Sequence, residues 1–548
     1  MRAQANDLHS LFRSADQANF HAVLARHMAA PDAPLLLEGS TGLGKTRAVL
    51  AAAMHAASEG QRIAIALPSH QLIDQLMASS DMSATRRPGV AVAAFRPARW
   101  FERPADHKAH RAEAMAAGVM VCTSAALIID QRLGGAYNGA STRDYLIFDE
   151  ADQLPDAAAL QSDREITTAA LQALGINATD TAAALAAVVA DTRAESEVRA
   201  AALLMQDALA EPAWYQRVGF TDDGGLALHH QLPGRLLRKL ANRPAVAFIS
   251  ATLSVAGRMD DFKRAMGIGE QSAHSGSLEP ARHGALTFRV SDLQVDTEAW
   301  LEAVTQCVRQ AEATGTVLVV TPSHALARAL GERLPGATVR QADETVSAAA
   351  ARMGPSRTLV ATAAWAGLDT PVIWQHIVVP RIPFERPVVI DGHTESRYVD
   401  TRNTAVRRMR QVIGRGLRSP DAVCTVHILD ERWKQVAGFV PERFRAAWQQ
   451  RIGFTEGARS ELVLSRAERD PAVRRAALAH HGRRCMACGF TPRVDSQLDV
   501  HHLNPVADGG ERVTTLADVA VLCANCHRLA HSEQPPMTLE ALRSLVQD

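Results

Sequence analysis

Leu35-Leu36-Leu37-Glu38-Gly39-Ser40-Thr41-Gly42-Leu43-Gly44-Lys45-Thr46 decides the fold class. The leucines read as a short buried strand, the glycines as a tight loop, and the alanine-rich run after Lys45 as a helix closed by Ser58-Glu59-Gly60. Strand, loop and helix in that order aim the unpaired N–H groups of a helix start at an anion. Gly39, Gly42 and Gly44 let the backbone wrap phosphates, Lys45 neutralises the β- and γ-phosphates, and the Thr46 hydroxyl suits Mg2+. An ATP site is the expectation.

Further apolar runs carry the rhythm of a parallel sheet: Ile63 to Leu67, Val119 to Cys122, Tyr145 to Phe148 and Val246 to Ile249. The third ends in Asp149-Glu150-Ala151-Asp152. Asp149 is placed to hold the magnesium and Glu150 to orient the attacking water. Carboxylates at the carboxyl end of a central strand stand where ligands bind in such sheets. A second α/β set begins near residue 289, with strands at Thr316–Val320, Thr358–Ala361, His376–Val379 and Val423–Leu429. Before its last strand comes Gln411-Val-Ile-Gly414-Arg415-Gly-Leu-Arg418, on a segment already holding Arg402, Arg407, Arg408 and Arg410. Arg415 and Arg418, three apart, are expected on one helix face, within reach of a γ-phosphate on the facing domain.

At 548 residues the chain exceeds a single core. Its 47% hydrophobic and 22% charged content is that of a globular protein, and no run approaches the ~18 apolar residues of a membrane span. The first residues lack the apolar core of a secretory signal, so the expected compartment is the cytoplasm, with no membrane partner. Fifty-nine basic residues against 59 acidic ones exclude a polycation that coats nucleic acid indiscriminately; contacts must come from local patches. Cys122, Cys307 and Cys424 are scattered in apolar contexts.

The other four cysteines form Cys485-x2-Cys488 and Cys523-x2-Cys526, two tight turns whose thiolates suit tetrahedral Zn2+. Between and beside them lie His501-His502, His527 and His531. A basic shift after Leu464, with Arg466, Arg469, Arg474, Arg475, Arg483 and Arg484, marks a linker over 456–470 and a domain over 471–548. So small a domain would draw much of its folding energy from the metal.

The front of the chain, roughly 10–435, resembles a superfamily 2 helicase of the XPD/DinG branch. Gln17 lies where such proteins hold their adenine-side glutamine. Ser250-Ala-Thr252 is similar to the coupling motif, Ala364-Trp-Ala-Gly367-Leu-Asp369 to the fifth motif, and Val378-Val-Pro-Arg381-Ile-Pro-Phe384 to the DinG segment after it. The resemblance implies two RecA-like helicase domains, 1–288 and 289–455, and 5′ to 3′ movement on single-stranded DNA. It also implies nucleotide contacts from Gln17, Gly367, Asp369, Gln411, Arg415 and Arg418. Such proteins hold an iron–sulfur cluster on four cysteines between the first two nucleotide motifs. Only Cys122 stands between Gly39 and Asp149, so no cluster is expected there. That region, 79–118, reads as a vestigial wedge whose arginines and Phe95, Trp100 and Phe101 touch DNA. The alanine-rich stretch 153–243 reads as a helical, arch-like insert.

The tail resembles a zinc-knuckle HNH endonuclease of ββα-metal type. By that resemblance His502 is the general base, while His501, His527 and His531 hold a divalent ion. Imidazole ligands leave Mg2+, Mn2+, Ni2+ or zinc open. Asp508-Gly-Gly510 is part of the match, and Asp518 stands at the family's middle asparagine, with Asn525 able to share its role. A motor without a cluster fused to an HNH domain resembles the HNH-fused, CRISPR-associated DinG-like helicases of type IV-A systems. The partners implied are single-stranded and R-loop DNA and a type IV-A ribonucleoprotein with its guide RNA, the free chain being a monomer. Two other readings compete: a stand-alone repair or restriction helicase-nuclease, and a motor whose zinc/HNH domain only docks on DNA or a ribonucleoprotein.

Overall fold

The computed structural model describes residues 11–213, 215–269, 272–354, 357–365, 370, 372–385, 388–395, 401–436, 440–441, 444–449, 471–503, 515–533 and 535–547. The chain divides into two compact units, Met1–Gly453 and Phe454–Asp548. No described helix is long and apolar enough to cross a membrane.

The first unit holds two parallel sheets. The first runs in the order β10-β1-β9-β5-β2-β4-β3. Its strands are β1 (Leu35–Gly39), β2 (Ile63–Leu67), β3 (Val92–Ala94), β4 (Val119–Thr123), β5 (Tyr145–Asp149), β9 (Val246–Ser250) and β10 (His274–Leu278). β1, β2, β4 and β9 are buried along their whole length, which explains their continuous apolar sequences. Helices α1 (Ala15–Ala29) and α2 (Lys45–Ser58) bury Phe20, Leu24, Val49, Leu50 and Met54 against one face. Helix α3 (Leu154–Ser162) joins the core of the other face through Leu154 and Ala158.

The second sheet runs in the order β11-β18-β15-β12-β14-β13. It comprises β11 (Ala285–Val290), β12 (Val317–Thr321), β13 (Thr338–Val339), β14 (Thr358–Thr362), β15 (His376–Val379) and β18 (Val423–Ile428), all pairing parallel. A hairpin, β16 (Val388–Ile390) with β17 (His393–Glu395), precedes α7 (Thr401–Arg415).

Two stretches differ from expectation. The insert is not helical alone: β6 (Arg164–Ile166), β7 (Gln216–Phe220) and β8 (Leu226–His230) form an antiparallel sheet. Its helices Thr181–Ala190 and Ser196–Ala210 cover that sheet, making a separate small core of Leu185, Val188, Met205 and Leu226. The 79–118 region, expected as a wedge, also contributes to the first sheet and its core. It supplies the edge strand β3 and buries Phe95 completely. Within it Arg96 pairs with Asp74 and Arg103 with Asp106, and half-exposed Trp100 lies under the Arg96 guanidinium.

The second unit is built on an antiparallel hairpin, β19 (Leu498–His502) with β20 (Val519–Cys523), followed by α8 (Ala524–Ala530). Leu498, Val519, Val521 and Leu542 pack with Cys485, Cys523 and Cys526 in one small core.

Candidate functional site

The phosphate loop leaves β1 at Gly39 and ends at Gly44, whose φ of 81° is left-handed, just before α2. No side chain caps α2, so its first N–H groups stay open to an anion. A Cβ on Gly44 would lie 2.4 Å from Gln17 Nε2. That contact has a purpose: the buried Gln17 amide donates to the Gly44 carbonyl at 2.7 Å and accepts from the Arg13 N–H at 2.8 Å. The glutamine expected on the adenine side thus braces the loop that carries Lys45 and Thr46.

β1, β9 and β5 are neighbours, so Gly39, Ser250 and Asp149 emerge side by side at one sheet edge. Burial, then the Glu150 charge, pushes the Asp149 carboxyl up to about 7, and the same two causes raise Asp152 to about 6. Carboxylates crowded and buried in this way are the groups a divalent cation stabilises, so the donor set fits magnesium held with ATP. Asp152 had no assigned role in the sequence. It accepts from Ser250 Oγ at 2.5 Å, Thr252 Oγ1 at 2.8 Å and the Gln411 amide. One carboxylate therefore joins the Ser250–Thr252 motif to the second domain.

A second joint was also missed. Glu38, 2% exposed, accepts from Ser254 N at 2.6 Å, Ser254 Oγ at 2.9 Å and Arg410 Nη2 at 2.8 Å. α7 lies so close to the phosphate loop that a Cβ on Gly414 would stand 2.6 Å from Thr41 Oγ1.

The two arginines expected on one helix face do not share it. α7 ends at Arg415, so Arg418 is not on the same helix face. The structure turns both side chains to carbonyls of their own domain: Arg415 donates to Trp365 O at 2.7 Å and Arg418 to Thr370 O at 2.9 Å. Arg410 reaches the first domain at Glu38. Gly367 and Asp369 lie outside the described residues, as do Asp508 and Gly510.

In the second unit the four thiols Cys485, Cys488, Cys523 and Cys526 converge, their sulfurs within 4.8 Å of one another. Four thiolates on one point fit a tetrahedral zinc ion, and also the ligand set of an iron–sulfur cluster. His501, His527 and His531 form a second convergent set, each offering a ring nitrogen within 4.8 Å of the others. Strand alternation sends His501 and His502 to opposite faces of the hairpin, so His502 stands outside that triad. Asp499 shares the His501 face, and its carboxylate lies 3.3 Å from His527 Nδ1. It is the orienting group the sequence reading missed; its position two residues before His501 was the available signal. Asp518 accepts from Thr515 N at 2.8 Å and Thr515 Oγ1 at 2.6 Å, bracing the chain before β20.

Residues 17–191 match the DEAD/DEAH box helicase family and residues 485–533 the HNH endonuclease family. No curated protein matches the chain. Solved structures do. One described as an XPD helicase aligns with a TM-score of 0.58 at 12% identity, covering 80% of this chain and 98% of its own. An apo XPD gives 0.54 at 14% identity, over 79% and 98%. Xpd4 of S. tokodaii gives 0.50 at 13% identity, over 76% and 96%. The fold is that of an XPD-like helicase with a C-terminal HNH domain. The chain thus joins a DEAD/DEAH helicase domain to an HNH domain bearing a four-cysteine cluster.

Proposed function

We propose that this protein is an ATP-driven DNA helicase, moving 5′ to 3′ on a single strand, whose HNH unit cuts the DNA that the motor exposes. In our reading it acts with a type IV-A CRISPR guide-RNA complex in defence against plasmids and phage. The observation that carries the proposal is the pairing, on one chain, of a nucleotide cleft spanning two parallel sheets with an imidazole triad beside a thiolate cluster.

In the motor, Lys45 and the open N–H groups of α2 hold the phosphates, Thr46 and Asp149 hold magnesium, and Glu150 orients water for attack. Asp152 and Glu38 carry closure to α7 through Gln411 and Arg410, so hydrolysis in the cleft alternately tightens and releases the second domain. Arg415 and Arg418 take their γ-phosphate role only by leaving the carbonyls they hold here.

In the cutter, Cys485, Cys488, Cys523 and Cys526 hold a structural zinc, and His501, His527 and His531 would hold a divalent ion. When bound, that ion would supply positive charge to offset the charge that builds on the scissile phosphate. His502, on the opposite face from the triad, takes the proton of the attacking water as general base. Asp499 fixes the His527 ring so that Nε2 faces the triad.

The test is strand-specific cleavage of a duplex opened by a guide complex, with and without ATP, in Mg2+, Mn2+ or Ni2+. The proposal expects ATP-dependent spread of cuts away from the opened site. Cuts confined to that site whatever the nucleotide would refute the coupling of motor to nuclease.

A further inference from the structure

A cavity of the first unit, about 930 Å³, is lined by Arg235, Arg238, Lys239, Arg264, Asn242 and Asp260, with Ile268 and Gly269 beside them. It lies between α4 (Arg238–Ala241), which leads into β9, and the C-terminal end of α5 (Asp260–Met266), which follows β9 and runs back. Asn242 ties the two together, its amide donating to Arg238 O at 2.8 Å and Gly267 O at 3.0 Å. The cavity thus opens at the amino-terminal edge of the first sheet, the edge away from Gly39 and Asp149, and is no part of the nucleotide cleft.

Three of its cations lack an acidic partner among the described residues. Arg238, Lys239 and Arg264 are exposed and make no ion pair among the described residues. Among the described lining residues the one carboxylate, Asp260, is held by Arg258 at 2.6 Å. On a chain of zero formal net charge, such a concave cluster of cations marks a place for a polyanion. Arg238, Lys239 and Arg264 stand on long exposed stems, which suits an extended polyanion better than a compact anion. No aromatic side chain lines it, so single-strand bases find nothing to stack on.

We propose that this cavity grips the phosphate backbone of duplex DNA, holding the unopened arm while a separated strand is drawn across the motor. The inference rests on the DNA-motor reading above.

The test uses the full chain carrying Arg238→Gln, Lys239→Gln and Arg264→Gln together. Binding to a blunt duplex and to a single strand is measured between roughly 50 and 200 mM salt, since each phosphate contact on B-DNA contributes about 0.9 to the log–log salt slope. Loss of two to three contacts should flatten the duplex slope by about 2 to 3 and weaken duplex binding at least about tenfold, leaving single-strand binding and single-strand-stimulated ATP hydrolysis unchanged. An unaltered duplex slope in a variant that melts like the parent would overturn the proposal. So would an equal loss on single strands, or binding of inorganic polyphosphate at the cavity that duplex fails to displace. Absence of single-strand stimulation in the parent chain, with the duplex slope still flattened in the variant, would instead overturn the motor reading and leave the cavity standing.

Discussion

Arg410→Ala should open the cleft between the two sheets of the motor. Arg410 Nη2 and Glu38 Oε1 are 2.8 Å apart, and both side chains are almost wholly buried, at 9% and 2% exposure. At an effective dielectric of about 20, such a pair attracts by about 6 kcal/mol before desolvation is counted. Removing only the arginine leaves the Glu38 carboxylate buried with just the two Ser254 hydrogen bonds, a change that costs about 3–5 kcal/mol. Glu38→Gln with Arg410→Met leaves no unpaired charge and should cost far less. The assay is native-state hydrogen exchange on the amides of Thr401–Arg415 and Ser250–Ser254. At about 1.4 kcal/mol per tenfold, Arg410→Ala should speed their exchange by roughly a hundredfold or more, while the double variant stays within about tenfold of the parent. Strictly additive effects of the two single substitutions, within about 0.5 kcal/mol, would refute the claim that this pair joins the domains.

Metal analysis of the purified chain should find one zinc on the four thiols and no visible iron–sulfur absorption, and Cys485→Ser should unfold the second unit, lowering its circular dichroism; brown protein with iron would replace zinc by a cluster. Asp499→Asn should weaken divalent-ion affinity and DNA cutting by about 10- to 100-fold, with ATP hydrolysis unchanged; equal loss of both activities would contradict a local role. His427 is pushed down to about 4, first by burial and then by His376 and Arg289, from an ordinary value of 6.5. The unfolded chain therefore binds a proton there that the folded one refuses, so this site's share of stability is intact above about 6.5 and is lost as pH falls toward 4, on the order of 2–3 kcal/mol. His427→Gln should flatten thermal stability over that window; an unchanged acid slope would show that the histidine is not responsible.

Strands buried on both faces were legible because they admit nothing but apolar side chains. The runs at Ile63, Val119, Tyr145 and Val246 each became a strand within a residue of the expected ends. The insert strands were hidden by composition: alanine in the flanking helices outweighed two short runs around Asp222-Asp223-Gly224-Gly225. Phe95 was taken for a stacking aromatic because its neighbours are basic, yet it closes a core that only the fold assembles. The Glu38–Arg410 pair spans 372 positions, beyond any local pattern. In the tail, the thiol set was readable from its spacing and the imidazole set from a family resemblance, and hairpin and helix bring each set together. Alternation along a single strand puts His501 and His502 on opposite faces, which spacing alone does not reveal.

Cleavage of a preformed single strand by the parent, Lys45→Ala and His502→Ala chains tests the two-site account most directly. It predicts that Lys45→Ala abolishes ATP hydrolysis and still cuts, and that His502→Ala hydrolyses ATP normally while cutting falls by about 10²- to 10⁴-fold. Cutting that survives in His502→Ala, or disappears in Lys45→Ala, would contradict it.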